Sequence, residues 1–196
     1  MKTKTVLFIG PQGSGKGTQA KLLTEFLRKD SKHDVLHLET GAAFRRLAET
    51  TTITGEYVRH SMQAGKIQPA FLAIKLWTEG FISDLTADTH LVLDGSPRTK
   101  LEAEALDEAL RLYERLPTTV LHLKLPEEIS HERLSERDRS DDHRQAITTR
   151  LSEYREKTLP IIEFYQQTED YHVFEVNGEL SIEAIQKQIQ TNLTND

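Results

Sequence analysis

The sequence predicts an α/β fold of three layers, in which a five-stranded parallel sheet lies between helices. Short apolar runs alternate along the chain with amphipathic helical patterns. Strands that are apolar on both faces are covered on both sides, as in parallel sheets flanked by helices. The predicted strands are residues 5–9, 35–38, 90–93, 120–123 and 172–176, and the clearest helical patterns are 19–27, 101–112 and 146–165.

The predicted organisation is a single domain over residues 1–196. This length fits one domain of ordinary size, and no repeat, low-complexity tract or linker divides it. One long excursion, residues 40–85, separates the second predicted strand from the third and contains several helical turns. We expect it to form a helical flap within the same domain.

The composition excludes several classes of partner. The formal net charge is −6, from 25 Lys and Arg against 31 Asp and Glu, which does not favour a polyanionic partner. The chain has no cysteine, so it has no disulfide framework and no thiolate zinc site. No apolar run approaches the length of a membrane span. We therefore expect a cytoplasmic monomer that binds neither nucleic acid nor a membrane.

The turn after the first predicted strand has the composition of a phosphate-binding loop. It reads Gly-Pro-Gln-Gly-Ser-Gly-Lys-Gly-Thr over residues 10–18 and leads into a helix. Glycines let successive backbone N–H groups point at one anion, the helix N-terminus adds its positive end, and Lys16 supplies a cation. A plain glycine-rich turn with an incidental lysine is the simpler interpretation, but the flanking strand and helix favour phosphate binding. The glycine spacing does not fit a dinucleotide fingerprint. The predicted ATP-binding residues of the loop are Gly13, Ser14, Gly15, Lys16, Gly17 and Thr18.

The chain resembles adenylate kinases and their nucleoside monophosphate kinase relatives over nearly its whole length. The segments that carry the resemblance are residues 13–20, Thr40-Gly41 with Arg45, Ala64-Gly65-Lys66, residues 94–99 and the arginines of 133–150. The resemblance implies a P-loop NTPase-like fold with a helical acceptor-binding insertion and a minimal lid at 133–150. It also implies an ATP-dependent kinase that uses Mg²⁺, with ATP + AMP = 2 ADP as the expected reaction.

The acceptor side is predicted around the end of the third strand. Asp94 lies at its carboxyl end, where it can hold magnesium directly or through water, and the planar fork of Arg98 suits an acceptor phosphate. By itself Asp94-Gly95 would be a simple turn. The resemblance implies that Arg45 also binds the acceptor phosphate and that the backbone of 66–68 lines the acceptor base. The full predicted acceptor set is Thr40, Arg45, Lys66, Ile67, Gln68, Gly95, Ser96, Pro97, Arg98, Glu102, Arg139 and Arg150.

Two residues depart from the family pattern on the acceptor side. Ser96 replaces the usual phenylalanine, and Glu102 replaces the glutamine that reads adenine. A carboxylate only accepts hydrogen bonds, which suits the N1–H and amino group of guanine better than adenine. Thr99-x-x-Glu102 is also a capping box at a helix start, a purely structural alternative. AMP is the expected acceptor, with GMP or relaxed specificity as the alternative.

The predicted lid region is rich in arginine. Phosphoryl transfer requires mainly positioning and positive charge, and clustered guanidinium groups supply that charge. The resemblance implies that Arg133 lies on the donor base, Arg137 on the donor phosphates, and Arg139 and Arg150 between donor and acceptor. A solvated helix–helix corner is the alternative, since acidic residues are interspersed. The predicted catalytic residues are Lys16, Arg98, Arg137, Arg139 and Arg150, and no zinc is expected in the lid.

Three other functions share part of this sequence pattern. A P-loop kinase acting on a sugar or another small acid would share the loop but would not need the second set of phosphate-binding residues. A GTPase-like module lacks its base-reading motif, because the sequence contains no Asn-Lys-x-Asp or Thr-Lys-x-Asp. A non-catalytic nucleotide-binding module stays open from sequence, although every charged part of a kinase site is present.

Overall fold

The computed structural model of the protein describes residues 3–30, 32–137 and 143–194. Its centre is a parallel sheet with the strand order β2-β3-β1-β4-β5, so the predicted five-stranded α/β fold is confirmed. The strands are β1 (Thr5–Ile9), β2 (Asp34–Glu39), β3 (Thr89–Asp94), β4 (Thr118–Lys124) and β5 (Tyr171–Asn177).

Nine helices in the described part of the chain surround this sheet. They are α1 (Lys16–Asp30), α2 (Thr40–Ala48), α3 (Ile53–Gln63), α4 (Ala70–Asp84), α5 (Lys100–Leu112), α6 (Glu127–Ser135), α7 (Arg144–Glu153), α8 (Pro160–Gln166) and α9 (Ile182–Thr194). None of the described helices is long and apolar enough to cross a bilayer.

The central strand β1 explains why the sheet needs helices on both faces. Successive side chains of a strand point to opposite faces. Leu7 and Ile9 pack into a core that includes Leu106 of α5, while Val6 and Phe8 pack into a second core formed largely with α1 and α9. All five residues of β1 are buried. The apolar character of the strand on both faces therefore places it in the middle of the three layers.

The helices α2, α3 and α4 form the flap that the sequence predicted between the second and third strands. Phe44, Val58 and Ala73, one from each helix, make a small core of their own. Further along α4, Trp77 and Phe81 join the main core of the sheet. One helix thus anchors the flap to the body of the molecule.

The long helical pattern at 146–165 is interrupted in the structure. α7 ends at Glu153, a π-helical turn follows at Tyr154–Thr158, and α8 begins at Pro160. Proline has no backbone N–H and cannot continue the α-helical hydrogen bonds. The preceding residue, Leu159, donates instead to the carbonyl of Tyr154 at 2.8 Å, five residues back. Hydrophobic periodicity alone does not reveal such a change of helical register.

Candidate active site

The phosphate loop connects β1 to α1 through backbone conformations that need glycine. Gly13 and Gly15 have φ angles of 85° and 88°, in the region that side chains disfavour. A Cβ on Gly15 would meet no atom within 4 Å, so the inner side of the loop faces open space. The loop has the shape that the sequence predicted for holding an anion.

Lys16 lies at the start of α1 and folds back over this loop. Its Nζ donates to the carbonyls of Gly10 at 2.8 Å and Pro11 at 2.7 Å, and lies 3.4 Å from Oγ of Ser14. Burial lowers the pKa of Lys16 to about 8, while the nearby carboxylate of Asp94 acts in the opposite direction. The loop therefore holds one cation at the place where phosphates would bind.

Asp94 ends β3 beside the phosphate loop, because β3 pairs with β1 and aligns Asp94 with Phe8. A Cβ on Gly17 would lie only 3.3 Å from Oδ2 of this carboxylate. The glycine after Lys16 thus leaves room for Asp94 against the helix start. Burial raises the pKa of Asp94, and the charge of Lys16 opposes that shift.

Two arginines from different elements converge across the site from the loop. A Cβ on Gly41 would lie 3.6 Å from Nη1 of Arg45, on α2, and 3.9 Å from Nη2 of Arg98, which follows β3. Burial lowers the pKa of Arg98, and the carboxylates of Glu102 and Asp94 oppose that shift. The positive charges of Arg150 and Arg45 lower the pKa further. Arginine remains protonated in such surroundings. The accumulated positive charge suits a phosphate dianion.

Arg45 also contacts a residue that the sequence reasoning missed. Its Nη2 lies 3.0 Å from Oε1 of Glu39, and Nζ of Lys21 lies 4.0 Å from the other carboxylate oxygen. Glu39 ends β2 in register with Asp94 on β3. The rule that ligands gather at the carboxyl ends of parallel strands could have identified it.

The start of α5 has the hydroxyl half of the predicted capping box, while the Glu102 carboxylate bonds the backbone N–H of Arg98 rather than that of Thr99. The Thr99 hydroxyl accepts from the backbone N–H of Glu102, and the same hydroxyl lies 3.3 Å from Oε1 of the Glu102 side chain. The second carboxylate oxygen accepts from the backbone N–H of Arg98 at 3.0 Å. Glu102 is only 1% exposed, and burial raises the pKa of its carboxyl. Both oxygens thus have partners near the start of α5.

The flap rests against α7. Nη2 of Arg150 donates to the carbonyl of Met62 at 3.2 Å, and Nε2 of His143 lies 2.8 Å from the carbonyl of Gln63. The turn that follows approaches so closely that a Cβ on Gly65 would lie 2.2 Å from a carbonyl oxygen of α7. The carboxylate of Glu153 lies 3.4 Å from the backbone N–H of Ile67. Arg150 is therefore placed between the flap and the body.

The side-chain amide of Gln68 is held in a fixed orientation near the contact between the flap and α7. Its Nε2 donates to Oγ of Ser61 and to the carbonyl of Lys66, both at 3.2 Å. A carbonyl only accepts, so these contacts set which end of the amide carries the NH₂ group. The side-chain oxygen Oε1 is buried and has no hydrogen-bond partner among the described residues.

The donor end of the site is closed by residues from distant parts of the chain. Nη1 of Arg133, on α6, donates to the carbonyl of Gly178 at 2.9 Å and to that of Gly13 at 3.3 Å. Gly178, in the turn after β5, was not predicted, and no local pattern signals it. Arg137 lies just beyond α6. Arg139 falls outside the described residues.

Residues of the phosphate loop, the flap and the segment after β3 line one cavity of about 550 Å³. Of the residues predicted from sequence, it includes Gly13, Gly15, Lys16, Gly17, Thr18, Arg45, Lys66, Ile67, Gln68, Asp94, Gly95, Arg98, Arg133, Arg137 and Arg150. Five other predicted residues lie nearby without lining it, namely Ser14, Thr40, Ser96, Pro97 and Glu102. Pro97 lines a smaller adjoining cavity of about 30 Å³ together with Lys16 and Arg98. The predicted donor and acceptor ends therefore face one another.

A parallel α/β sheet with a phosphate loop opposite a second cluster of arginines defines a nucleotide-dependent phosphotransferase. A sequence profile described as adenylate kinase matches residues 8–170. The chain is 33% identical over 180 residues to an adenylate kinase of Corynebacterium urealyticum, covering 92% of this chain and 93% of that one. It is 35% identical over 188 residues to an adenylate kinase of Prochlorococcus marinus strain MIT 9313, covering 96% and 97%. An adenylate kinase of Synechococcus sp. strain WH7803 is also 35% identical, over 190 residues and the same shares.

The chain thus belongs to the adenylate kinase family of nucleoside monophosphate phosphotransferases.

Proposed function

We propose that the protein transfers the terminal phosphoryl group of ATP to AMP, giving two molecules of ADP. One observation carries this proposal: the phosphate loop with Lys16 and the convergent pair Arg45 and Arg98 line the same cavity. A kinase with a nucleotide acceptor needs a phosphate site at each end of its cleft. The similarity to adenylate kinases supports AMP as the acceptor.

In this proposal the chain works by positioning and by charge. The loop amides and Lys16 hold the donor phosphates, while Arg45 and Arg98 hold the acceptor phosphate so that one of its oxygens faces the γ-phosphorus. Charge accumulates on the equatorial oxygens as the bond to the β–γ bridging oxygen breaks. Arg137, Arg139 and Arg150 are proposed to stabilise that charge, with Arg133 against the donor base.

The residues beside the loop fit a magnesium ion that arrives with ATP. Mg²⁺ keeps several waters and is commonly held by one or two carboxylates together with substrate phosphates. Asp94 supplies one buried carboxylate next to Gly17, and the described residues contain no cluster of three or more acidic or histidine groups that would form a complete metal cage. Asp94 would hold the ion through water, and Thr18 lines the same cavity. When bound, the ion neutralises phosphate charge.

The acceptor base is proposed to lie along residues 66–68 of the flap. Gln68 is 7% exposed, and the unpaired Oε1 of its side chain is an additional acceptor beside the cavity. GMP is the second candidate acceptor, because Glu102 replaces the glutamine of the family pattern. Against GMP stands the capping role of that carboxylate, whose two oxygens already have partners.

A coupled assay with ATP–Mg²⁺ and a panel of monophosphates tests these assignments. We expect ADP formation with AMP as the preferred acceptor. Faster turnover with GMP would select the alternative acceptor. Nucleotide binding without turnover on any monophosphate would select a non-catalytic module.

We also propose a single kinase domain over 1–196, with 40–85 as the acceptor flap and 133–150 as a short lid, acting as a cytoplasmic monomer without nucleic-acid or membrane partners. The separate small core of the flap supports its assignment as a unit within the domain. The net charge of −6 supports the absence of a nucleic-acid partner. Size-exclusion chromatography with light scattering tests whether the protein is a monomer, because a dimer would have twice the mass.

A further inference from the structure

The π-helical turn at Tyr154–Thr158 contacts the acceptor-side arginine. The hydroxyl of Thr158 donates to the backbone carbonyl of Arg98 at 3.0 Å, across 60 residues of sequence. Thr158 is 5% exposed and lies outside every motif that the sequence analysis singled out. Its hydrogen bond is to the backbone of Arg98, and Thr158 does not line the 550 Å³ cavity.

Arg98 is held from three sides. Thr158 bonds its carbonyl, Glu102 accepts from its backbone N–H at 3.0 Å, and the carbonyl of Gly95 accepts from its side-chain Nε at 2.7 Å. Fixing both backbone groups of one residue, together with the inner nitrogen of its side chain, leaves its Nη groups aimed in one direction. That direction is toward Gly41, where Arg45 also arrives.

The turn is itself fixed to the sheet beneath the phosphate loop. The Tyr154 hydroxyl and Nε2 of His122 are hydrogen-bonded at 2.9 Å, and His122 on β4 is in register with Ile9, the last residue of β1. Tyr154 and Thr158 both line the 30 Å³ cavity that Lys16 and Arg98 also reach. A π-helical turn changes the phase of a helix, and such turns recur at functional sites. Here it brings Thr158 to Arg98 while α7, which leads into it, carries Arg150.

We propose that Thr158 is a positioning residue of the phosphoryl-transfer site, acting through Arg98. Thr158 bonds the carbonyl of Arg98, and Glu102 bonds its backbone N–H. Together they direct the guanidinium group toward the acceptor phosphate. This inference rests on the proposed function. Misplacing a positioning group by about 1 Å can cost about a hundredfold in rate, so a buried hydroxyl at this point has a measurable kinetic role.

The test compares Thr158→Val, which removes the hydroxyl and keeps the shape, with Thr158→Ser, which keeps a hydroxyl. Thr24→Val is a matched control, because Thr24 is 4% exposed and its hydroxyl likewise donates to a backbone carbonyl, that of Ala20. Turnover, the Michaelis constants for AMP and ATP, and the melting temperature are measured for each variant. AMP and GMP are both used as acceptors where wild type accepts both.

We expect Thr158→Val to lose about ten- to a hundredfold in kcat/KM for the acceptor, with the Michaelis constant for ATP little changed. The loss is the same for each base, because Arg98 faces the phosphate. Thr158→Ser restores most of the activity, and Thr24→Val lowers melting temperature without lowering turnover.

Equal kcat/KM for the acceptor in wild type and Thr158→Val would overturn the inference and leave the proposed function intact. A loss that depends on the acceptor base, or that Thr158→Ser does not restore, would also overturn it. If Thr158→Val does not fold, Thr158→Ala replaces it in the comparison with Thr158→Ser. The same two quantities are then compared, kcat/KM for the acceptor and the Michaelis constant for ATP. Wild type without transfer to any monophosphate would remove the proposed function, and this inference with it.

Discussion

The phosphate loop and the acceptor side line one cavity but are assembled in different ways. The loop is local: Gly10, Pro11 and Ser14, all within six residues of Lys16, hold its ammonium group. The acceptor side gathers Arg45, Arg98 and Arg150 from three separate elements. The contacts of Lys16 are therefore built by a short sequence, and the acceptor side is built by the tertiary fold.

This difference predicts different responses to substitution. A change at Lys16 removes chemistry and leaves the fold, because the hydrogen bonds of its ammonium group are local. On the acceptor side, a substitution also disturbs contacts between elements, as when Arg150 bonds the carbonyl of Met62 in the flap. A substitution of Lys16 should therefore change turnover without changing the melting temperature. Substitutions on the acceptor side should change both.

The largest effect is expected at the donor end. Lys16→Met should fold normally and lose about a thousandfold or more in turnover, because a charge on the transferring phosphate is removed while the glycine turn remains. Steady-state kinetics and thermal unfolding check this. Lys75→Met is the matched control, since Lys75 is exposed on α4 and pairs with Glu79 across one helical turn. Near wild-type turnover in Lys16→Met would remove the P-loop kinase mechanism.

A smaller loss is expected where the two ends meet. Arg139→Ala and Arg150→Ala should each lower turnover by about a hundredfold and raise the Michaelis constant for ATP far less, because their charge acts mainly in the transition state. Arg144→Ala, exposed on α7, is the control for charge.

His143→Ala serves as the control for the flap contact, because it removes the bond to the carbonyl of Gln63 without removing an arginine. If Arg150→Ala behaves like His143→Ala, or if both arginine variants keep turnover and lose only ATP affinity, these catalytic roles are wrong.

The pH dependence should distinguish the two ends directly. Because burial lowers the pKa of Lys16 to about 8, its ammonium form is present below that pH and is lost above it. In the free enzyme, kcat/KM for ATP should therefore fall about tenfold per unit as the pH rises beyond 8. The acceptor-side arginines stay charged throughout. At saturating ATP, where bound phosphate stabilises the ammonium group, the falling limb should move to higher pH; a limb that stays in place would contradict this assignment.

The smallest effect is expected for Glu102→Gln. The amide keeps an oxygen that can accept from the backbone N–H of Arg98, so turnover and the ratio of AMP to GMP use should change little. The ratio of kcat/KM values for the two acceptors measures this. A swing of about ten- to a hundredfold toward AMP would instead assign base reading to the carboxylate. Glu104→Gln, on the same helix and more exposed, is the control.

The same contrast explains what could be predicted from the sequence. The strands follow from local hydrophobic patterns and are found where expected, and the glycine-rich sequence forms a turn between β1 and α1 with positive φ at Gly13 and Gly15. Contacts such as Arg133 with Gly178, or Thr158 with Arg98, join residues far apart in sequence. No local pattern records which distant carbonyl a side chain will meet. The roles of individual site residues stay predictions until the variants are measured.

The position of β1 at the centre of the sheet has a consequence for biosynthesis. Its partners are β3 and β4, with Thr5 beside Leu91 and Val6 beside Thr119. A ribosome adds about 5–20 residues per second, so β3 is complete about 4 to 17 seconds after β1, and β4 about 6 to 23 seconds after it. Until β3 has been made, the run Val6-Leu7-Phe8-Ile9 is an apolar segment with both strand edges open, and one edge stays open until β4 follows. The strand that leads into the phosphate loop is thus made early and organised late.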